Sequence, residues 1–145
     1  MKIIIGADHA GYKLKEELKS YIKKLGHDVA DYGTDSEEAV DYPPIALKVA
    51  KDVSKGRARG ILICGSGIGM SIAANKVRGI RAAVCHNAFT AGVSRTHNDS
   101  NILCIGSRDV GKETAKKIAK IWLETEFSSE ERHKRRVDEI RKAEC

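Results

Sequence analysis

Cys64 ends an apolar run, Gly60-Ile61-Leu62-Ile63-Cys64, and Gly65-Ser66-Gly67-Ile68-Gly69 follows at once. Glycines at alternate positions let successive backbone N–H groups point at an anion with no Cβ atoms in the way. Residues 71–77 read as a helix, so Cys64 also stands near a helix N-terminus, where a thiolate is favoured. A reactive sulfur beside a nest of amides suits chemistry on a phosphorylated or oxyanion-forming small molecule. The spacing is not the G-x-G-x-x-G of dinucleotide sites, nor a P-loop, which needs Lys-Ser/Thr. The plainer alternatives are a tight strand-to-helix turn and a buried, inert cysteine. Only the electropositive setting separates Cys64 from Cys85 and Cys104, which lie in apolar contexts.

Other polar residues sit where chemistry could use them. Asp8-His9 follows the first apolar run, and His97-Asn98-Asp99 lies between a helix and a strand. Two histidines at the ends of neighbouring units, with an aspartate, suggest acid–base work; an Asx turn and a polar loop explain them equally simply. Arg132 and Arg136 are four apart and share a helix face. Paired guanidinium groups suit a phosphate, although on these residues alone a solvated basic face is the simpler reading.

The elements that must position these groups are legible from periodicity. Runs at 2–6, 27–32, 60–64, 81–85 and 101–105 predict strands, and they alternate with helices over 13–25, 45–55, 71–77, 88–95 and 111–126. Gly26 is placed to cap the first helix, and Pro43-Pro44 to open the second. Residues 129–144 predict a charged helix, making about 128–145 a C-terminal helical tail. The 145 residues are expected to form a single domain, 1–145, and the 5% aromatic content implies an aliphatic core. Strand–helix alternation predicts an α/β, three-layer, Rossmann-like doubly wound fold: a five-stranded parallel sheet, order 2-1-3-4-5, with helices on both faces and a C-terminal helix. Ligands of such folds bind beyond the carboxyl ends of the strands, near the switch between strands 1 and 3. Asp8, His9 and Cys64 all fall there.

Composition narrows the function classes. The net charge of +6 is concentrated in Arg132-His133-Lys134-Arg135-Arg136, with few aromatics to stack on bases, so no nucleic-acid partner is expected. No apolar run approaches the ~18 residues of a membrane span, and Asp8-His9 cuts short the only signal-like start. Cys64, Cys85, Cys104 and Cys145 form no CxxC motif, which argues against zinc and for free thiols in a cytoplasmic protein.

Taken in order, the motifs resemble the RpiB/LacAB family of sugar-phosphate isomerases over nearly the whole chain. The resemblance is carried by Gly6-Ala7-Asp8-His9-Ala10-Gly11, Tyr32-Gly33-Thr34, Val40-Asp41-Tyr42-Pro43 and Ile63-Cys64-Gly65-Ser66-Gly67-Ile68-Gly69. It continues through Ser71-Ile72-Ala73-Ala74-Asn75-Lys76, Gly79-Ile80-Arg81-Ala82-Ala83 and Ser94-Arg95-Thr96-His97-Asn98-Asp99-Ser100-Asn101. It implies interconversion of D-ribose 5-phosphate and D-ribulose 5-phosphate without metal or organic cofactor. A six-carbon phosphosugar, allose or galactose 6-phosphate, is the alternative substrate, and a non-catalytic phosphosugar-binding module the alternative class. By resemblance Cys64 matches the proton-shuttling base and His97 the ring-opening residue, with Asp8 nearby. Ser66 stands where the family often has threonine, and the amides of Gly65, Ser66, Gly67, Ile68 and Gly69 match the hole around an enediolate. Asp8, His9, Tyr42 and Asn98 match sugar-contacting positions; His9, Arg108, Arg132 and Arg136 match a phosphate-binding set. Homodimers, or dimers of dimers with sites at the subunit boundary, are implied as well. Two departures stand out: Glu130-Glu131 replaces the Gly-Gly of many relatives, and Met70 occupies the place of a glutamate base found in some.

Overall fold

Each of the five apolar runs forms a strand in the computed structural model, which describes residues 1–144; Cys145, the fourth cysteine and the end of the expected tail, lies outside them. β1 (Lys2–Ala7), β2 (Asp28–Asp31), β3 (Arg59–Cys64), β4 (Ala82–Val84) and β5 (Ile102–Gly106) pair in parallel throughout. Between and after them come α1 (Tyr12–Lys24), α2 (Tyr42–Val53), α3 (Ile68–Ala74), α4 (Ala88–Thr96), α5 (Lys112–Glu124) and α6 (Glu131–Lys142).

Side chains of a strand alternate between faces, and the core divides accordingly. Ile3, Ile5, Ile61, Ile63, Leu103 and Ile105 pack with Leu18 of α1, Ala91 of α4 and Trp122 of α5. Ile4, Leu62, Cys64, Ile102 and Cys104 pack instead with Val49 of α2 and with Met70 and Ala74 of α3. Three layers result, as the alternation of elements requires.

The sheet order is β2-β1-β3-β5-β4. The all-parallel, doubly wound sheet agrees with expectation; the last two strands exchange places relative to 2-1-3-4-5. The reason lies in their side chains. β5 reads ILCIG and is buried at every position, so it takes the inner place beside β3. β4 is three half-buried residues, AAV, and a short strand suits an edge. Its free side is covered in an unusual way: the Asn75 side-chain amide donates to the Ala82 carbonyl (2.9 Å) and accepts from the Ala82 N–H (2.8 Å).

Helix ends follow local chemistry. Past α1, Gly26 is left-handed (φ +91°), its N–H donates to the Lys23 carbonyl, and the His27 N–H reaches back to Ile22. That is the Schellman pattern expected of a glycine there. α2 opens with Pro43 and Pro44 in its first turn, where a missing N–H loses little. α3 begins at Ile68, three residues before the expected 71, because left-handed Gly67 already closes the turn.

Candidate functional site

The loops after β1, β3 and β5 are tied to one another by main-chain hydrogen bonds. Asp8 N–H donates to Ile63 O (3.2 Å), Ser107 N–H to Cys64 O (2.8 Å) and Arg108 N–H to Gly65 O (3.0 Å). The Ser107 hydroxyl also donates to Ala10 O (2.7 Å). A cleft of about 790 Å³ lies against this edge, a size that admits a metabolite. Asp8 lines it from β1, Tyr42 and Ile72 from α2 and α3, and Cys64, Gly65, Ser66, Ile68 and Gly69 from the turn after β3. Arg108, Asp109 and His86 complete it from beyond β5 and β4.

Cys64 is 5% exposed, and its Sγ accepts the Gly67 N–H at 3.1 Å. Gly67 can aim that donor because its φ is +78° and because it has no Cβ. A Cβ there would stand 3.0 Å from the Ile105 carbonyl carbon and 3.2 Å from the Gly106 nitrogen. Gly69 is bare for another reason: a Cβ would fall 2.5 Å from the Tyr42 ring, so the ring rests directly on the glycine backbone. Ser66 Oγ accepts the Ile68 N–H (3.2 Å) and stays exposed at the cleft. Burial pushes the Cys85 thiol up, and the Cys104 thiol well up, so both remain protonated. Buried Asp8 accepts the Gly11 N–H at Oδ1 (3.1 Å), which opens the 3₁₀ turn His9–Gly11. His9 Nδ1 accepts the Val40 N–H (3.2 Å), leaving Nε2 as its free ring nitrogen.

His97, Asn98, Arg132 and Arg136 do not line this cleft. α4 starts at the carboxyl edge of the sheet and its nine residues run back for about 13 Å. His97, its C-cap, therefore lies toward the amino edge, away from Cys64 of the same chain. His97 instead stacks on His133 of α6, with ring centroids 4.3 Å apart and planes at 10°. Burial, and then the neighbouring His97, hold His133 below the usual histidine range, and its Nε2 has no hydrogen-bond partner. Asn98 lines a separate depression with Arg81, Ser100 and Ile140. Arg132 and Arg136 are exposed on α6, and Arg132 Nε donates to Glu130 Oε2 at 2.9 Å. One of the two departing acids thus neutralises an arginine of the expected phosphate set.

The sequence reading did not single out His86, Asp109 or His133. His86 Nδ1 is bonded to an Asp109 carboxylate oxygen, which orients the ring at the cleft. The place of His86, one residue beyond an expected strand, was the available signal. Among the described residues no group of three His, Cys, Asp or Glu side chains is placed to hold a metal ion, and no helix is long and apolar enough to cross a membrane.

Residues 3–140 match the sequence family described as Ribose/Galactose Isomerase. The chain belongs to this family. Its relatives in it include the ribose-5-phosphate isomerase B of Escherichia coli, 49% identical over 140 residues, spanning 96% of this chain and 93% of that protein. They also include a D-erythrulose-4-phosphate isomerase of Pectobacterium atrosepticum, 43% identical over 129 residues, 88% of this chain and 85% of that one. The structure of Clostridium thermocellum ribose-5-phosphate isomerase B superposes with a TM-score of 0.95 at 54% identity, covering 98% of this chain and 96% of the other.

Proposed function

We propose that this chain interconverts D-ribose 5-phosphate and D-ribulose 5-phosphate as an aldose–ketose isomerase, in a site completed by a second copy. The observation that carries the reading is the Cys64 sulfur at the cleft wall with the Gly67 N–H upon it. In the forward direction the ring opens first: a proton leaves the anomeric hydroxyl and one is delivered to the ring oxygen, the part assigned to His97. The Cys64 thiolate then takes the proton from C2, and the electron pair moves onto the C1 carbonyl oxygen to give an enediolate. Amides of the 65–69 turn hold that charge, an arrangement in which one lost donor costs on the order of 10²–10³ in rate. The proton returns to C1, while the Ser66 hydroxyl passes the hydroxyl proton from O2 to O1. Asp8 and Tyr42 contact the sugar, and Arg108 with His9 receives the phosphate. The same name on the Escherichia coli relative and on the Clostridium thermocellum structure supports the substrate.

The second copy supplies what one chain cannot bring to the cleft: His97, Asn98, Arg132 and Arg136. Exposed Ile68 (54%), Ile72 (58%) and Phe89 (73%) offer apolar surface for such a homodimer. We further assign residues 1–145 to one domain, working in the reducing cytoplasm with Cys64, Cys85 and Cys104 unpaired.

A coupled assay over ribose 5-, allose 6- and galactose 6-phosphates and D-erythrulose 4-phosphate tests the substrate. The highest kcat/KM is expected with ribose 5-phosphate, and no turnover of it would reject the reading. Cys64→Ala should fold and lose about 10²–10⁴ of the rate, as removal of a general base does. In a two-fold dimer with shared sites, mixing and refolding inactive Cys64→Ala and His97→Ala chains should restore about one quarter of the wild-type sites. No recovery would place His97 and Cys64 outside a shared site.

A further inference from the structure

The half of the site that faces away from the cleft is organised around one carboxylate. Asp99 is one of two non-glycine residues with positive φ among the described residues (φ +48°). Left-handed backbone is tolerated best by Asp and Asn, and here the side chain is held from both sides. Asp99 Oδ1 accepts from Arg95 Nη1 and Oδ2 from Arg81 Nη2, each at 3.0 Å. Arg81 Nε also donates to the main-chain carbonyls of Asn98 (3.2 Å) and Asp99 (2.9 Å), so a single guanidinium holds both the side chain and the backbone of the loop.

Arg95 is itself fixed by main chain outside this loop's 97–99 segment. Arg95 is 3% exposed and bonds the carbonyls of Ser100 (2.5 Å) and Thr125 (3.1 Å). From the tail, Arg141 of α6 brings Nη2 to 3.9 Å from Asp99 Oδ2. α6 also carries Arg132 and Arg136, and its His133 stacks on His97. The loop and the tail helix therefore meet at the same carboxylate.

We propose that Asp99 is the positioning residue of this half-site: clasped by Arg81 and Arg95, it holds the 97–98 loop and α6 in one arrangement, so that His97, Asn98, Arg132 and Arg136 are presented together. The inference rests on the reading above, in which His97 opens the sugar ring. Buried Arg95 and partly buried Arg81 lose their counter-charge when Asp99 is neutralised, and the loop they pin then has no reason to keep its geometry. A misplacement of about 1 Å in a reacting group costs on the order of 10²-fold in rate.

The test separates ring opening from proton transfer. Ribulose 5-phosphate has no hydroxyl free to close a furanose ring, so solvent deuterium enters its C1 through the base alone. Asp99→Ala should lose roughly 30- to 100-fold in kcat on ribose 5-phosphate, while deuterium exchange into saturating ribulose 5-phosphate falls by less than about threefold. Asp99→Asn, which keeps the left-handed preference but loses the charge and one of the two acceptor oxygens, should show the same split at a smaller size, roughly tenfold in kcat. An equal fall in both readouts, or no fall in either, overturns the positioning role. Should Asp99→Ala not fold, the same split is read on Asp99→Asn and Arg81→Lys, with the same two outcomes against it. His97→Ala is measured in parallel. If it keeps full turnover of ribose 5-phosphate, the reading of His97 fails; if it loses turnover and the Asp99 variants do not, only the role of Asp99 fails.

Discussion

Gly67 and Gly26 make a matched pair of experiments. Both are left-handed, with φ +78° and φ +91°. An alanine at either site meets the left-handed penalty of about 1–2 kcal/mol, partly offset by about 0.4–1 kcal/mol from the stiffer unfolded chain. At Gly26 nothing lies within 4 Å of the new Cβ, so the net cost should stay near 1 kcal/mol. At Gly67 the new atom would stand 3.0 Å from Ile105 C and 3.2 Å from both Gly106 N and Ile105 N. Main chain of an inner strand yields poorly, and overpacking of this kind adds about 1–3 kcal/mol. For a chain of this size 1 kcal/mol moves the thermal midpoint by about 3–4 °C. Gly67→Ala should therefore lose about 10 °C and Gly26→Ala about 3 °C. Their activities should diverge further. The turn must shift, the Gly67 N–H leaves Sγ, and kcat/KM on ribose 5-phosphate should drop by about 10²-fold. Gly26→Ala, at the far end of α1, should keep wild-type turnover. Circular-dichroism melts and a coupled isomerase assay read both quantities. A Gly67→Ala enzyme within threefold of wild type, or a melting loss no larger than that of Gly26→Ala, would refute the claim that this turn is built for its amides.

Two further outcomes can be checked directly. Iodoacetamide should modify Cys64 ahead of Cys85 and Cys104, whose burial keeps them as thiols, and ribose 5-phosphate should slow it; peptide mapping by mass spectrometry reads the order. His133 is held below the ordinary histidine value of about 6.5 by burial and by His97. As pH falls below about 6.5 the unfolded chain takes up a proton that the folded chain still refuses, so stability is lost as pH falls toward the folded value. Melting midpoints from pH 7.5 to 5.5 should fall for the wild type and fall less for His133→Asn; parallel slopes would remove His133 as the cause.

Much of the fold could be read locally. Each apolar run became a strand, and Gly26 and Pro43-Pro44 marked helix boundaries through their own backbone limits. Strand order could not be read this way, because β4 and β5 are ranked by long-range burial: ILCIG fills an interior slot and AAV does not. The start of α3 was misplaced because Gly67 spends its positive φ on the turn and leaves Gly69 free to be helical. On the site, Asp8, Cys64 and the glycine turn share a strand edge, and the end-of-strand rule found them. The rule applied equally to His86, which lines the cleft unremarked by that reading. For His97 the topology carries its own signal: the last residue of a crossover helix sits at the edge opposite the one where the helix began.

Asn75 has a consequence for the ageing of the protein. Its amide occupies the flank of β4 as a neighbouring chain would, offering one donor and one acceptor to Ala82. Spontaneous deamidation would replace the donating nitrogen with an oxygen and set two acceptors face to face. Ala82 would then shed its plug, and the exposed margin could recruit another strand. A slow hydrolysis at one surface position would in this way limit shelf life.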